Sequence, residues 1–255
     1  MARDRFDLTG KVALVTGGSR GLGRAMVRAF AERGADVVVA SRKLDACEAL
    51  AELVRDETGR EALAVACHVG RWSDCDALVE RAYERFGRVD VLVNNAGMSP
   101  LYPSLTAITE DLYDKVMNVN LRGPFRLSTL VGERMAAGGG GSIVNVSSGA
   151  AVMPTAGEVP YAAAKAGLNN LTVALARAYA PKVRVNCIMP GPFLTDISNA
   201  WTPEMIAGLG SLIPLGRGGE ADEIVGAALY FASDASSFTT GAVLKIDGGL
   251  AFAPA

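Results

Sequence analysis

Thr16-Gly17-Gly18-Ser19-Arg20-Gly21-Leu22-Gly23 stands between a β-branched run, Val12–Thr16, and an amphipathic stretch, Gly21–Arg33. Glycines at a strand-to-helix corner allow a tight turn. They also let backbone N–H groups approach a pyrophosphate, which the helix N-terminus favours electrostatically. Outward from this corner the same alternation repeats. Strand candidates are Asp36–Ala40, Ala62–Cys67, Val89–Val93, Ser142–Val146, Val183–Ile188 and Val243–Ile246. Helical patterns between them cover Leu44–Thr58, Ser73–Phe86, Asp111–Val131, Tyr161–Ala180 and Ala221–Ser233. Strict alternation implies parallel strands joined by right-handed crossovers, hence an α/β doubly wound sheet of about seven strands with helices on both faces. No linker and no fixed-period repeat divides the chain, and Gly138–Gly141 reads as a flexible turn between a helix and a strand.

Composition agrees with one folded domain. Of 255 residues, 50% are hydrophobic and 20% charged, which excludes a disordered chain. A net charge of −2 offers no electrostatic footprint for nucleic acid or a membrane surface. No apolar run reaches the ~18–20 residues of a bilayer span. Met1–Asp7 is charged and lacks the apolar core of a secretory signal, and Cys47, Cys67, Cys75 and Cys187 have no paired spacing. These features read as reduced thiols in a cytoplasmic protein. With His68 the only imidazole, following the apolar stretch Ala62–Cys67, a Ser-His-Asp device or a metal site is disfavoured. If this is an enzyme, its acid/base group is expected not to be histidine.

The glycine loop is spaced TGxxxGxG rather than GxGxxG. Asn94-Asn95-Ala96-Gly97 follows the fourth strand, Asn120 lies in Asn118-Val119-Asn120, and Ser148 precedes Tyr161-Ala-Ala-Ala-Lys165. Pro190-Gly191 follows the sixth strand with Thr195 four residues beyond Gly191, and Asp247-Gly248-Gly249 closes the last strand. In order and on the right elements, these motifs make the chain resemble the short-chain dehydrogenases/reductases, in the branch of about 250 residues. The resemblance runs end to end. It implies one Rossmann-type NADP(H)-binding domain over 1–255, with a cofactor half at roughly 8–145 and a catalytic half at roughly 146–255. Cofactor contacts implied in the first half are Gly17, Ser19, Arg20, Gly21, Leu22 and Gly23 of the loop, then Asn94, Ala96 and Gly97. Pro190, Gly191 and Thr195 resemble the element that holds the nicotinamide carboxamide.

An NAD-binding unit places an acidic residue at the end of the second strand, where it accepts from the ribose hydroxyls. Ala40-Ser41-Arg42-Lys43 stands there instead. A guanidinium engages a 2′-phosphate bidentately and a hydroxyl can donate to it. Arg20 adds a second cation of the kind that NADP-preferring relatives often carry. The expectation is NADP(H) over NAD(H), held by Ser41 and Arg42. The plainer reading of Arg42 and Lys43 is the solvated start of the next helix. After the third strand most relatives place Asp before Val, whereas this chain has His68-Val69. Only Val69 is carried over as an adenine contact.

Tyr161 and Lys165 are four residues apart on a helix opened by Pro160, so phenol and ammonium share one face. Lowering a phenol from pKa ~10 by about three units needs roughly 4 kcal/mol. An ammonium ~6 Å away supplies roughly 2.8 kcal/mol at an effective dielectric of about 20. The oxidised nicotinamide and a helix N-terminus can contribute the remainder. The pair therefore suffices for acid/base work without histidine. Lys165 is also expected on the nicotinamide ribose. Ser148, rather than its competitor Ser147, resembles the residue that holds the substrate oxygen. Asn120, by resemblance, bends its helix and holds a water linked to Lys165. The implied reaction is hydride transfer between nicotinamide and a carbonyl carbon, with Tyr161 as acid or base.

Met98–Tyr102, Gly149–Pro160 and the segment after Thr195 should ring the substrate. Trp201, Met205, Ile206, Leu209, Leu212 and Ile213 are spaced for either a mobile apolar lid, roughly 195–215, or an ordinary packed helix. Glu158 is the single charge in Gly149–Pro160, which favours an apolar ketone, aldehyde or secondary alcohol over a carboxylated or phosphorylated sugar. Arg126, Arg134 and Lys182 allow a second reading, a 3-ketoacyl-thioester reductase that meets acyl carrier protein, or are scattered surface cations. A third is an NADP(H)-binding redox sensor without turnover. The resemblance also implies a homotetramer or homodimer, formed through the Tyr161 helix and the last strand, and the apolar tail Leu250–Pro254 is consistent with such a contact.

Overall fold

The computed structural model describes residues 4–195 and 203–251, the side chains of 203–207 excepted. Strands β1 (Val12–Thr16), β2 (Asp36–Ser41), β3 (Ala62–Ala66), β4 (Val91–Asn94), β5 (Gly141–Val146) and β6 (Val183–Pro190) alternate with helices. These are α1 (Gly21–Glu32), α2 (Leu44–Thr58), α3 (Trp72–Phe86), α4 (Glu110–Met117), α5 (Gly123–Ala137) and α6 (Val159–Ala178). A two-stranded ribbon, β7 (Phe193–Leu194) with β8 (Gly219–Glu220), brackets α7 (Pro203–Leu212); α8 (Val225–Ala232) and β9 (Val243–Ile246) complete the order. Seven strands form one parallel sheet in the order β3-β2-β1-β4-β5-β6-β9. The order reverses between β1 and β4, and the crevice beyond the carboxyl ends of these two strands is where such sheets bind ligands.

Period-2 alternation along each strand divides the core into two layers. Ala13, Val15, Val37, Val39, Val91 and Val93 face α1, α2 and α8, packing on Met26, Phe30, Leu50 and Phe231. Val12, Leu14, Val38, Leu92 and Ile143 face the other way, onto Leu78, Leu127, Val131 and Leu175 of α3, α5 and α6. Gly59 and Gly87 end α2 and α3 in the left-handed region, φ +66 and +71, where a side chain would be strained. All four cysteines are buried and free. Among the described residues no helix is long and apolar enough to cross a membrane.

Strands and helices occupy the expected places, most within one or two residues. One expected helix differs. Asp111–Val131 is α4 and part of α5, separated by a π-helical turn, Asn118–Arg122, that carries Asn120. Of the segment at roughly 195–215, residues 196–202, with Trp201, lie outside the described residues, as do the Met205 and Ile206 side chains. The remainder contains α7; Ile213 is buried beneath it while Leu212 and Leu215 are exposed. Of the apolar tail, Ala251 is buried and Phe252–Pro254 lie outside the described residues.

Candidate active site

Gly17 adopts φ +62 and Gly21 φ +51, backbone that the corner after β1 requires. A Cβ on Gly23 would lie 2.1 Å from the Gly17 carbonyl oxygen and 2.6 Å from Asn95 Nδ2. The loop is thus folded on itself with no room for a side chain. α1 begins at Gly21 without a side-chain cap and without an acidic residue in its first turn. Its first N–H groups face the crevice end of the sheet, as a pyrophosphate site demands. Thr16 Oγ1 donates to the Val93 carbonyl (3.2 Å) and accepts from Asn95 N (3.1 Å) and Ala96 N (3.2 Å). Asn95 Nδ2 returns two bonds, to the Thr16 and Gly17 carbonyls. A dinucleotide fits these residues: the cradle is a backbone surface that any added Cβ would fill.

Asn95 was not among the expected site residues, and its neighbour Asn94 was. The structure gives the two side chains different surroundings. Asn94 is 1% exposed, and its amide donates inward to Ser128 Oγ and Asn145 Oδ1, both at 2.9 Å. Asn145 continues the chain to Thr172. The Asn94 side chain therefore ties β4 to β5 and α5, and only its backbone borders the crevice. Strand alternation is the signal that separates the two: one of two consecutive residues must point into the layer beneath.

Ser19 and Ser41 hydroxyls are joined at 2.9 Å, linking the glycine loop to the end of β2. Arg20 and Arg42 flank them, both exposed and in no ion pair among the described residues. Leu22 packs onto the core layer beneath α1. Val69 is 8% exposed, with its backbone pressed against Gly123 of α5. His68 is a strand-end residue: its Nδ1 accepts from Gly70 N (3.2 Å), and its N–H donates to Asp74 (3.1 Å). On the far side of the loop, Thr195 lies over Gly21, and Pro190-Gly191 ends β6 with the Gly191 N–H donating to the Ile246 carbonyl (2.9 Å).

Two expected catalytic groups, Asn120 and Lys165, meet near Gly97. A Cβ there would stand 3.1 Å from Asn120 Oδ1 and 3.6 Å from Lys165 Nζ. Asn120 is fully buried; its Nδ2 donates to the Met98 (2.8 Å) and Val116 (2.9 Å) carbonyls, and its Oδ1 accepts from Met98 N. The π turn leaves the Val116 carbonyl to this amide, which is how the bend is held. Lys165 Nζ donates to the Val146 carbonyl (2.8 Å) and stands 5.7 Å from the Tyr161 ring centroid. Ser147 donates its hydroxyl to the Lys165 carbonyl, whereas the Ser148 hydroxyl, at the end of β5, accepts from Ala150 N (3.2 Å) and lies close enough to Tyr161 to act on its phenol. Ser147 is thus turned inward, which leaves Ser148 as the serine beside the phenol.

Burial pushes the Tyr161 phenol up, and Glu158 adds to this, while the Ser148 hydroxyl works in the opposite direction. The sequence expectation is a phenol made acidic by Lys165 together with an oxidised nicotinamide and a helix N-terminus. In the cofactor-free site burial of the phenol opposes that effect. The same burial lowers Lys165 to about 8, so that at neutral pH it is still mostly an ammonium. A lysine held below its unfolded value of 10.5 destabilises the fold fully below pH 8, and the penalty disappears as pH rises toward 10.5. The shift corresponds to about 3 kcal/mol, less about 1 for the bond to Val146. Lys165→Met is therefore expected to stabilise the cofactor-free protein by about 2 kcal/mol at pH 7 in urea unfolding, with the gain vanishing by about pH 10.5. A variant less stable than wild type at pH 7 would refute this.

Beside Tyr161 opens a pocket lined by Ser99, Pro100 and Tyr102, by Leu112 and Val116 of α4, and by Glu158 and Pro160. Two of the three expected substrate segments contribute; the α4 residues were not foreseen. Tyr102 clamps the two loops together, its hydroxyl donating to the Ala156 carbonyl and accepting from Val159 N, both at 2.8 Å.

Residues 17–251 match the family model described as "Enoyl-(Acyl carrier protein) reductase". The chain is 36% identical over 246 residues to an "NAD-dependent glycerol dehydrogenase" of Listeria innocua, covering 96% of this chain and 95% of that one. It is also 36% identical to a 3-oxoacyl-acyl-carrier-protein reductase of Chlamydia trachomatis, covering 96% and 98%. Among solved structures, a gluconate 5-dehydrogenase from Burkholderia cenocepacia in complex with NADP and tartrate superposes with a TM-score of 0.93, at 35% identity, covering 98% and 99%.

Proposed function

The chain belongs to the short-chain dehydrogenase/reductase family of NAD(P)-dependent oxidoreductases acting on alcohol and carbonyl groups, and on that premise we propose that it reduces a small ketone or aldehyde with NADPH, reversibly. The observation that carries this reading is the convergence of Ser148, Tyr161, Lys165 and Asn120 beside the glycine cradle. Gly17–Gly23 and the α1 N-terminus would hold the pyrophosphate, with Val69, Ala96, Gly97 and the Asn94 backbone along the adenosine side. Lys165 and Tyr161 would hold the nicotinamide ribose, and Pro190, Gly191 and Thr195 the carboxamide. The bound dinucleotide supplies the hydride in reduction and takes it back in alcohol oxidation. Ser148 holds the substrate oxygen by a hydrogen bond. Tyr161, protonated because burial raises its pKa, donates its proton to that oxygen as the carbonyl carbon gains hydride. Lys165 returns a proton to the phenolate, and Asn120 keeps the ammonium side of the cleft in register.

NADP(H) preference rests on Arg20 and Arg42, two exposed guanidinium groups in no ion pair among the described residues, flanking the Ser19–Ser41 hydroxyl pair with no carboxylate at the end of β2. The dependence of one relative on NAD, by its name, makes this a point to measure. Loss of a charge-assisted contact is worth ~1.5–3 kcal/mol, so Arg42→Ala should lower kcat/KM with NADPH by roughly 10- to 100-fold. The value with NADH should change little; an unchanged NADPH/NADH ratio removes Arg42 from cofactor choice.

Against the ketoacyl-thioester reading, Arg126 is paired with Asp76 (2.6 Å), Arg134 with Glu80, and Lys182 Nζ donates to the Gly138 carbonyl. These cations have partners of their own. Oxidation of NADPH by simple ketones in preference to ketoacyl thioesters supports the reductase reading, and the reverse ranking supports the other. A redox sensor would show no turnover with either. We further propose self-association through the edge strand β9, where Val243 and Leu244 are exposed. A monomer by light scattering at micromolar concentration would refute it.

A further inference from the structure

The helix that carries Tyr161 and Lys165 begins without a cap of its own. Glu158, the residue before α6, makes no side-chain bond to its first turn. The Glu158 carboxylate folds back instead, accepting from Thr155 N (3.3 Å) and Thr155 Oγ1 (3.1 Å). Pro160 has no N–H, so Val159 N is the first donor of the helix that needs a partner. That partner comes from another element. The Tyr102 hydroxyl accepts from Val159 N and donates to the Ala156 carbonyl, both at 2.8 Å. One oxygen thus holds both sides of the turn that leads into α6, and Tyr161 follows Val159 by two residues. Tyr102 is also the far end of a short strap. Four residues earlier Met98 is gripped by Asn120, whose amide donates to the Met98 carbonyl (2.8 Å) and accepts from Met98 N (3.2 Å). Asn120 is itself fixed in the π turn by its bond to the Val116 carbonyl. Met98–Tyr102 therefore joins the π turn to the start of α6.

We propose that Tyr102 is a positioning residue: its hydroxyl caps α6 from the strap and, with Asn120 at the strap's other end, fixes where the Tyr161 phenol stands. This rests on the reading that Tyr161 is the acid or base of the reductase. A phenolic hydroxyl can donate and accept at once, so the same group answers the free N–H of the helix and the carbonyl before it. Without that oxygen the first turn of α6 has no cap, and the turn from Ala156 to Val159 loses its tie to the strap. Proton transfer depends on reacting atoms held in near-attack geometry, and a misplacement of about 1 Å costs up to ~100-fold. The cap therefore reaches the chemistry through the helix backbone, although Tyr102 itself transfers no proton.

The test compares Tyr102→Phe, Tyr161→Phe and the double variant, using NADPH with hydroxyacetone or cyclohexanone, and NADP⁺ with glycerol or cyclohexanol in reverse. Tyr102→Phe deletes one oxygen and keeps the ring. It should lower kcat about tenfold while the ketone KM and the NADPH Kd stay within about threefold of wild type, because the cap serves the phenol rather than the cradle after β1. In the Tyr161→Phe background the same change should alter the residual kcat by less than about twofold, since a residue acting through another then has nothing to act on. A raised KM with unchanged kcat would make Tyr102 a substrate contact. A tenfold loss that persists without the phenol would make its effect structural. Either result, or a Tyr102→Phe kcat within about twofold of wild type, overturns this assignment and leaves the reductase reading intact. No turnover by the wild type with any of these substrates, in either direction, overturns both.

Discussion

Tyr161→Phe is expected to lower kcat by about 10³-fold, within the 10²–10⁴ that a positioned acid or base contributes. NADPH binding should weaken by no more than about tenfold, the loss of one hydrogen bond from the phenol to the ribose. The substitution deletes one oxygen. The ring that stands 5.7 Å from the Lys165 ammonium remains, so the packing of α6 on the β5 end is kept. What is lost is the single group able to hand a proton to an oxygen held by Ser148. His68 offers no substitute, since its Nδ1 already accepts from Gly70 and it lies at the end of β3. Binding by fluorescence titration and turnover by absorbance separate the two effects. A kcat within tenfold of wild type would remove Tyr161 from the chemistry. A parallel loss of NADPH affinity would instead make the phenol a binding group first.

The fold was legible because its strands are short, buried on both faces and separated by helices of ordinary length. The residues bounding β1, α2 and β9 could be read directly from β-branched runs and amphipathic spacing. The bend at Asn120 was expected by resemblance and is there, while its π form and a short ribbon escaped for physical reasons. The π turn at Asn118–Arg122 adds one residue to a helix, a change too small to shift the period of the apolar positions on either side. The β7–β8 ribbon has two residues per strand, too few to display alternation at all. In the site, the glycines and the Tyr161–Lys165 spacing spoke plainly. Asn94 and Asn95 did not, since two like residues at a strand end carry opposite roles that only the pleat decides. The acidity of Tyr161 also depends on more than the sequence displays. A charge at a known distance can be weighed from sequence, but the desolvation that opposes it depends on what encloses the ring.

Gly23→Ala bears hardest on the phosphate cradle, and it adds only a methyl group. That carbon would lie 2.1 Å from the Gly17 oxygen, 2.8 Å from the Gly17 carbonyl carbon and 2.6 Å from Asn95 Nδ2. None of these can step aside cheaply. Gly17 sits at φ +62, and its oxygen accepts from the same Asn95 amide, which also holds the Thr16 carbonyl. The loop must therefore open, separating β1 from the turn after β4 and turning N–H groups away from the crevice. Overpacking alone costs ~1–3 kcal/mol, and a contact this short with backbone lies at or beyond the upper end. Dinucleotide affinity is expected to fall at least ~100-fold, ~2.7 kcal/mol, with a lowered Tm. Gly59→Ala is the control: it too has a positive φ, +66, but nothing lies within 4 Å of its added carbon. That variant should lose about 1 kcal/mol of stability by strain at the end of α2 and bind the cofactor as wild type does. Equal effects from the two variants would reduce Gly23 to a generic glycine. Undiminished affinity in Gly23→Ala would mean that the cradle after β1 does not hold the pyrophosphate, and the cofactor would have to be placed elsewhere on the sheet.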